Sequence, residues 1–316
     1  MPDVLGIDTS NYTTSSAIFT GGAVVQSRKL LPVGAGRLGL RQSDAVFEHV
    51  RQLPEVLGKL PFDGGKFCAV GVSDRPRSEP GSYMPCFLAG VAAADAAARS
   101  LGVPLFRFSH QQGHIASALY SASRLDLLKE RFLAFHVSGG TTEAVLAEPD
   151  PDSVFHTRIA ARSLDLKAGQ AVDRVGALLG LPFPAGRELE KLALAWRGTF
   201  RIRPVLKGAD CSLSGIENQC RRLLTQGSPK EEIAAFCLRS LLAALDGMTG
   251  ELLKRFGRQP GTGRLPVVFA GGVAADSILR QELSEKYGAI FAEPEFSGDN
   301  AAGVAVLAAV KEGMLP

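Results

Sequence analysis

Apolar and polar positions fall along this chain in blocks whose period changes. Val4-Leu-Gly-Ile-Asp-Thr-Ser is an apolar run closing on small polar residues, Asn11 to Ser16 is polar, and Ala17-Ile-Phe resumes the apolar run. This pattern predicts strand, tight polar turn, strand. It returns at Phe132-Leu-Ala-Phe-His-Val, Ser138-Gly-Gly-Thr-Thr and Ala144-Val-Leu-Ala. Ser10, Thr13 and Thr14 have the spacing of Ser138, Thr141 and Thr142. Two matching turns between similar apolar flanks point to a duplicated domain.

Each half continues in the same style. Phe67-Cys-Ala-Val-Gly-Val and Val103 to Phe108 read as strands, with an Ala-rich helix from Leu88 to Leu101 between them, ended by Gly102. Ser109 is placed to cap a helix beginning near His110. In the second half Gln170 to Leu179 puts Val172, Val175 and Leu178 on one helical face, and Ile233 to Arg255 is a long helical stretch. Pro266-Val-Val-Phe-Ala is a buried strand leading through Gly271-Gly to a helix from about Asp276. Strands alternating with helices predict an α/β protein. Arg197 to Ser214 reads as the most irregular segment, placed on the surface.

Composition narrows the classes. The chain has 316 residues, 46% hydrophobic, with 35 basic against 32 acidic side chains. That length holds two moderate domains, and that balance excludes a strongly basic, non-specific nucleic-acid binder. No apolar run of about 18 residues is present to span a membrane. The start carries no basic region or cleavage pattern, so no signal peptide is expected. Five cysteines, none in a C-x-x-C pair, predict reduced thiols and a cytoplasmic protein rather than a disulfide framework.

Three glycine-bearing turns are candidate phosphate holders. Ser138-Gly139-Gly140-Thr141 offers close backbone approach, N–H groups and hydroxyls, although a single such turn also serves as a plain hairpin. Gly271-Gly272 lies between a buried strand and a helix, where open α/β sheets bind ligands. Neither the dinucleotide fingerprint nor the P-loop pattern occurs. His110 and His114 stand four apart on the predicted helix, so one turn brings both imidazoles to one face, as a metal pair or as two solvated histidines. Gly113 between them allows another segment to approach closely. Asp299 is the best third ligand on chemical grounds; it also suits a helix N-cap. His136, two residues before Ser138, can point toward whatever that turn binds. A His/carboxylate site suits iron, zinc or manganese.

Taken together, Gly6-Ile-Asp-Thr-Ser, His110-Gln-Gln-Gly-His, Val137-Ser-Gly-Gly-Thr-Thr, Ala168-Gly-Gln-Ala-Val-Asp-Arg-Val, Leu178 to Gly186, Ser212-Leu-Ser-Gly, Ala270-Gly-Gly-Val-Ala-Ala and Asp299-Asn300 resemble the Gcp/TsaD family over nearly the whole chain. These are threonylcarbamoyl transferases of tRNA, formerly labelled glycoproteases. The resemblance implies a duplicated actin-like ATPase or sugar-kinase fold with two lobes around a central nucleotide cleft. It implies a first lobe over 1–130 with 301–316 returning to it, and a second over 131–300 with an inserted helical segment at about 187–260. It implies one divalent metal, iron or zinc, on His110, His114 and Asp299, with His136 at the position of a tyrosine ligand found in some members. It implies an adenine nucleotide or acyl-adenylate held by Ser138, Gly139, Gly140, Thr141, Asp173, Gly186 and Asp276. The implied partners are tRNA, an adenylate-forming threonylcarbamoyl synthase and a related actin-like subunit.

The chain departs from the family pattern in three places. Asn11-Tyr-Thr-Thr replaces an acidic first turn, Asp276 replaces asparagine, and Asp74-Arg-Pro-Arg-Ser-Glu-Pro-Gly replaces a Gly-Pro-Gly-Leu loop. A divergent member or paralogue is expected. A metal-dependent acyl transferase leads, and a non-catalytic nucleotide- and metal-binding partner is the alternative. A sugar-kinase-type phosphotransferase gives the histidine pair no role. Arg197, Arg201, Arg203 and Lys207, with Phe200 among them, make either a basic face for tRNA or a solvated loop.

Overall fold

The computed structural model describes residues 2–10, 12–32, 40–62, 66–257, 264–296 and 301–315. Its contacts divide the chain into two units. Unit 1 holds Met1–Glu130, Glu148–Arg158 and Glu295–Pro316; unit 2 holds Arg131–Ala147 and Ile159–Pro294.

Unit 1 opens with β1 (Asp3–Ser10), β2 (Thr13–Thr20) and β3 (Ala23–Leu30), followed by α1 (Gln42–Leu57), β4 (Phe67–Arg75), α2 (Phe87–Leu101), β5 (Leu105–Ser109) and α3 (His110–Ser121). The sheet order is β3-β2-β1-β4-β5. β1 runs antiparallel to β2 and parallel to β4, which runs parallel to β5. Gly102 ends α2 in the left-handed region at φ 67°, the conformation glycine adopts without a Cβ penalty.

The second sheet repeats this plan. β6 (Phe132–Val137), β7 (Thr142–Asp150) and β8 (Val154–Arg162) lead to α4 (Ala168–Leu178), α5 (Gly186–Ala195), β9 (Val205–Lys207), β10 (Asp210–Ser212), α6 (Ser214–Thr225), α7 (Lys230–Phe256), β11 (Val267–Ala270), α8 (Ser277–Tyr287) and β12 (Ile290–Phe291). The order β8-β7-β6-β11-β12 mirrors the first sheet strand for strand. β6 is again antiparallel to its hairpin partner and parallel to β11. The two turns also match: Ser10 faces Thr13 in register, and the Ser138 N–H donates to Thr141 O at 2.8 Å. The duplication read from the two polar turns is therefore present in the backbone.

One helix is apolar nearly all round, which requires burial on every side, and a second carries a long apolar stripe. α9 (Ala301–Lys311) is buried from Ala301 to Ala309. It lies so close to the first sheet that a Cβ at Gly71 would stand 2.6 Å from Val304 O, and one at Gly6 would overlap Ala301 O. On α9 a Cβ at Gly303 would overlap the Gly113 carbonyl of α3, which is the close approach that Gly113 makes room for. α7, 27 residues long, meets the length and composition of a membrane span, but its apolar residues, Ile233 to Leu252, belong to the core of unit 2.

One expectation needs correction. The segment 197–214 is not irregular throughout: β9 and β10 pair antiparallel, Asp210 opposite Lys207 and Ser212 opposite Val205. Cys211 of β10 is fully buried and forms a parallel bridge to Ser163, just past the end of β8.

Candidate functional site

In unit 1 the candidate chemistry sits at the start of α3. Ser109 caps the helix reciprocally: its hydroxyl accepts the Gln112 N–H at 3.2 Å, and Gln112 Oε1 accepts the Ser109 N–H at 2.8 Å. Gln112 Nε2 donates onward to the carbonyls of Ser153 (3.1 Å) and Phe155 (2.6 Å), while Gln111 accepts from the Thr157 hydroxyl at 2.8 Å. The two buried glutamines between the histidines thus anchor the helix.

His110 and His114 share a face as the spacing predicts, with ring centroids 4.6 Å apart, edge to face. His110 Nδ1 lies 3.0 Å from Asp8 Oδ2 at the end of β1. Burial alone would push the Asp8 carboxyl up. Attraction to His110 and hydrogen bonds from His110 and Ser10 outweigh it and hold the carboxyl below its usual range. A carboxylate on one ring nitrogen fixes the tautomer and turns the other nitrogen, Nε2, outward as a donor to a metal. Two imidazoles and a carboxylate behind one of them are a donor set that fits a divalent metal. Asp299 and Asn300 lie outside the described residues. Among the described residues no group of three or more His, Cys, Asp or Glu gathers as a metal cage.

Beneath the first hairpin Thr14 faces the core. Its hydroxyl shares a 2.8 Å hydrogen bond with His49 Nδ1 and donates to Gln52 Oε1 at 3.0 Å. Burial lowers the His49 pKa to about 4, against the pull of Asp8. Its Nε2 is buried without a hydrogen-bond partner among the described residues. Arg75 of the variant loop pairs with its neighbour Asp74, and the Pro76 carbonyl accepts the Gln111 N–H at 3.1 Å.

In unit 2 the glycine turns converge at one end of the sheet. The Thr141 N–H donates to Ser138 Oγ at 3.1 Å, and the Gly169 N–H of α4 donates to Ser138 O at 3.1 Å. Thr142 Oγ1 accepts the Ala168 N–H at 2.8 Å, closing the α4 N-terminus against the turn. A Cβ at Gly169 would come within 2.7 Å of Gly139 N, so the fold requires glycine there. Gly139 and Gly140 differ. Both are exposed, neither has a positive φ, and a Cβ at either meets nothing within 4 Å. The protein itself does not need those glycines, which points to a ligand approaching the backbone. Gly271, at φ 104°, crosses the end of β6, where a Cβ would stand 2.5 Å from Val137 O and 2.9 Å from His136 Cδ2. His136 therefore lies beside the Gly271 turn, in unit 2.

Asp173 on α4 uses Oδ1 to accept the Ala185 N–H at 2.9 Å, next to Gly186 at the start of α5. Its Oδ2 takes no further hydrogen bond among the described residues. Asp276 is nearly buried and caps α8, accepting the N–H groups of Ile278 (3.0 Å) and Leu279 (3.1 Å). Burial, together with the Glu190 carboxylate, pushes its pKa up to about 6. Glu190 itself accepts the Ser277 N–H at 2.8 Å.

Two carboxylates escaped the sequence reading. Asp8 stood inside a strand motif, and its partner is a hundred residues away. Asp165 accepts the N–H groups of Leu166 and Leu213 and the Ser214 hydroxyl, so it organises the Ser212-Leu-Ser-Gly segment. Burial opposes ionisation there, but these hydrogen bonds hold its carboxyl below the usual range. A hollow of about 400 Å³ in unit 2, lined by Phe200, Arg239, Leu242, Asp246, Glu282 and Lys286, contains none of the candidate metal or nucleotide residues.

Comparison with known proteins gives a consistent neighbourhood. A family model described as TsaD, tRNA N6-adenosine threonylcarbamoyltransferase, matches residues 77–306. A relative of that name from Rhizobium etli is 31% identical, aligning 96% of this chain with 87% of its own. Another from Thermosipho africanus is 29% identical over 96% of this chain and 92% of its own. Among solved structures, component A of the (R)-2-hydroxyglutaryl-CoA dehydratase of Acidaminococcus fermentans superposes with TM-score 0.55 at 18% identity, covering 99% of this chain and all (100%) of that one. A ROK family glucokinase from Streptomyces griseus, solved with glucose and AMPPNP, gives 0.51 at 11% identity over 98% and 99%. At such identities the structural likeness speaks to fold alone: the duplicated actin-like ATPase and sugar-kinase fold.

Proposed function

The chain belongs to the TsaD family of tRNA N6-adenosine threonylcarbamoyltransferases, and from that premise we propose that it transfers a threonylcarbamoyl group from threonylcarbamoyl-adenylate to the adenosine next to the tRNA anticodon. In this reaction the carbonyl carbon gains a bond to adenine N6 and loses its bond to the adenylate phosphate oxygen. One N6 proton is given up and AMP leaves.

The observation that best supports this reading is the Asp8–His110–His114 arrangement, a metal-ligand geometry with no use in a sugar kinase. His110 and His114, completed by Asp299, are the residues for a divalent metal. When bound, that ion would polarise the carbonyl as a Lewis acid. Asp8 holds the His110 ring in its ligating orientation. The turn Ser138-Gly139-Gly140-Thr141 receives the phosphate, and Asp173 Oδ2, beside Gly186, accepts from a ribose hydroxyl. Asp276 positions the α8 end beside this site through its cap. Thr13 and Thr14 supply no base near neutral pH, and Thr14 is engaged by His49 and Gln52. Activation of the carbonyl is then the larger need.

The test is nucleoside analysis of tRNA incubated with threonine, bicarbonate, ATP and the adenylate-forming synthase. Threonylcarbamoyladenosine should form slowly, require metal and disappear in His114→Ala. A parent protein that binds nucleotide and metal yet yields no modified adenosine would establish the alternative, a non-catalytic partner.

A further inference from the structure

The segment joining α5 to β9 has a one-sided order. Phe200, Ile202, Pro204 and Leu206 are half-buried, while Arg201, Arg203, Val205 and Lys207 between them are exposed. This is the period of an extended strand, and the inward residues are firmly seated. Phe200 stacks on Trp196 (centroids 6.3 Å) and meets Phe236 of α7 edge-on at 5.5 Å. Leu206 and Pro204 lie over Gly247 of α7, where a Cβ would come 2.6 Å from Leu206 Cδ1 and 3.4 Å from Pro204 Cγ. β9 is further pinned by its pairing with β10. A solvated loop has none of these anchors.

The outward side is cationic at every position from Arg201 to Lys207 except Val205. Arg197, Arg201, Arg203 and Lys207 make no ion pair among the described residues. Elsewhere in unit 2 some exposed cations are neutralised, Arg174 and Arg221 on Glu217, Arg239 on Glu282 and Lys286 on Asp246. Others, such as Arg187, Lys191 and Arg222, are likewise without an ion pair among the described residues, so it is the ordered row rather than the lack of a partner that sets this strip apart. Asp210, the acidic residue opposite Lys207 in register, has Oδ1 occupied by the Arg162 N–H at 2.8 Å. Side chains two apart on a strand stand roughly 6.6 Å from one another, a step comparable to that between successive phosphates of a nucleic-acid strand. The row begins one helix beyond the candidate ribose carboxylate: α5, whose N-terminal end Asp173 holds, has 10 residues and spans about 15 Å.

We infer that Arg201, Arg203 and Lys207, with Arg197, form a preorganised strip that docks the phosphate backbone of the tRNA substrate. The inference rests on the transferase reading and adds to it the surface that holds the RNA. Its chemistry is charge neutralisation without base readout, so it sets affinity and register rather than sequence preference. Because the inward residues fix the backbone beforehand, little ordering is left for the moment of binding.

The experiment measures binding of an unmodified tRNA transcript to the whole protein across a salt series, for the parent, Arg201→Gln/Arg203→Gln, Arg201→Lys/Arg203→Lys and Arg51→Gln/Lys59→Gln. Two lost phosphate contacts should reduce the slope of log K against log salt by about 1.4–1.8. The glutamine pair should show that reduction and bind at least tenfold more weakly at low salt, with unchanged thermal midpoint and unchanged adenine-nucleotide binding. The lysine pair should keep the parental slope. The Arg51/Lys59 pair, which removes two charges elsewhere, should also keep it. If the parent binds and modifies tRNA but the glutamine pair retains the slope, or the Arg51/Lys59 pair loses as much, the strip is wrong and the transferase reading stands. If the parent neither binds nor modifies tRNA, both fail.

Discussion

Asp276 carries a negative charge in a place that does not favour one. It is nearly buried, its carboxyl is raised to about 6, and Glu190 adds a second negative charge nearby. A group whose folded pKa lies above its unfolded value contributes stability that is present below the unfolded pKa, about 3.9, and is lost as pH rises through the folded pKa. Asp276 should therefore weaken the fold progressively from about pH 4 to pH 6 and leave it weakened at pH 7. Asparagine accepts the same two N–H groups as a cap without the charge. Asp276→Asn should gain on the order of 1–3 kcal/mol at pH 7 and nothing at pH 3.5, measured by denaturant titration at both values. A variant no more stable than the parent at pH 7 would contradict this account. Asp8 poses the opposite case, a carboxylate whose charge is matched. Asp8→Asn removes the charge and leaves one acceptor oxygen for two donors, the Ser10 N–H and His110, so metal affinity should fall 10–100-fold while the α3 capping box and the fold remain. Competition titration against a chelator checks it, and unchanged affinity would make Asp8 irrelevant to the histidines.

Local pattern carries elements well where the cause is local. The hairpins, the Gly102 stop, the Ser109 cap and the His110–His114 face follow from signals within a few residues, and the structure contains each of them. Causes that lie far apart in sequence were not legible. The partner of Asp8 is on another element, and the inward course of Thr14 depends on His49 and Gln52 of α1. The alternation over 200–207 was readable, but the proline and three cations masked it as loop. α9 shows what such long-range packing demands. Its Gly303 meets the Gly113 carbonyl, and Gly6 and Gly71 admit its backbone on the other side. Neither neighbour is a flexible side chain that can give way. Gly303→Ala should therefore cost about 1–3 kcal/mol or more as overpacking, despite the higher helix propensity of alanine. Gly140→Ala, where the added methyl meets nothing within 4 Å, should change stability little. Chemical denaturation of the two variants side by side decides it; equal stabilities would mean that α9 shifts freely on α3.

For the molecule as a whole, the decisive property is whether a nucleotide stabilises it through the turn in unit 2. Two kinds of glycine meet there. Gly169 and Gly271 are required by the fold, since a Cβ on either would collide with backbone. Gly139 and Gly140 are not, so substituting them tests the ligand without first testing the fold. A ligand bound only to the folded state stabilises by roughly 2.7 kcal/mol at 100 times its dissociation constant. For a chain of this size that is a thermal shift of several degrees. ATP, ADP or AMP should produce such a shift in the parent. Gly139→Val should leave the unliganded midpoint within a degree or so of the parent and abolish the shift, because its side chain occupies the space from which phosphate would approach the Ser138–Thr141 amides. Asp173→Asn should reduce the shift only in part, since the amide oxygen still accepts the Ala185 N–H while an NH2 donor takes the place of Oδ2, so the ribose hydroxyl loses its charged acceptor but can accept in turn. A full shift in Gly139→Val would move the phosphate away from this turn. No shift in the parent with any of the three nucleotides would remove the nucleotide, and with it the acyl-adenylate, from the chemistry of this chain.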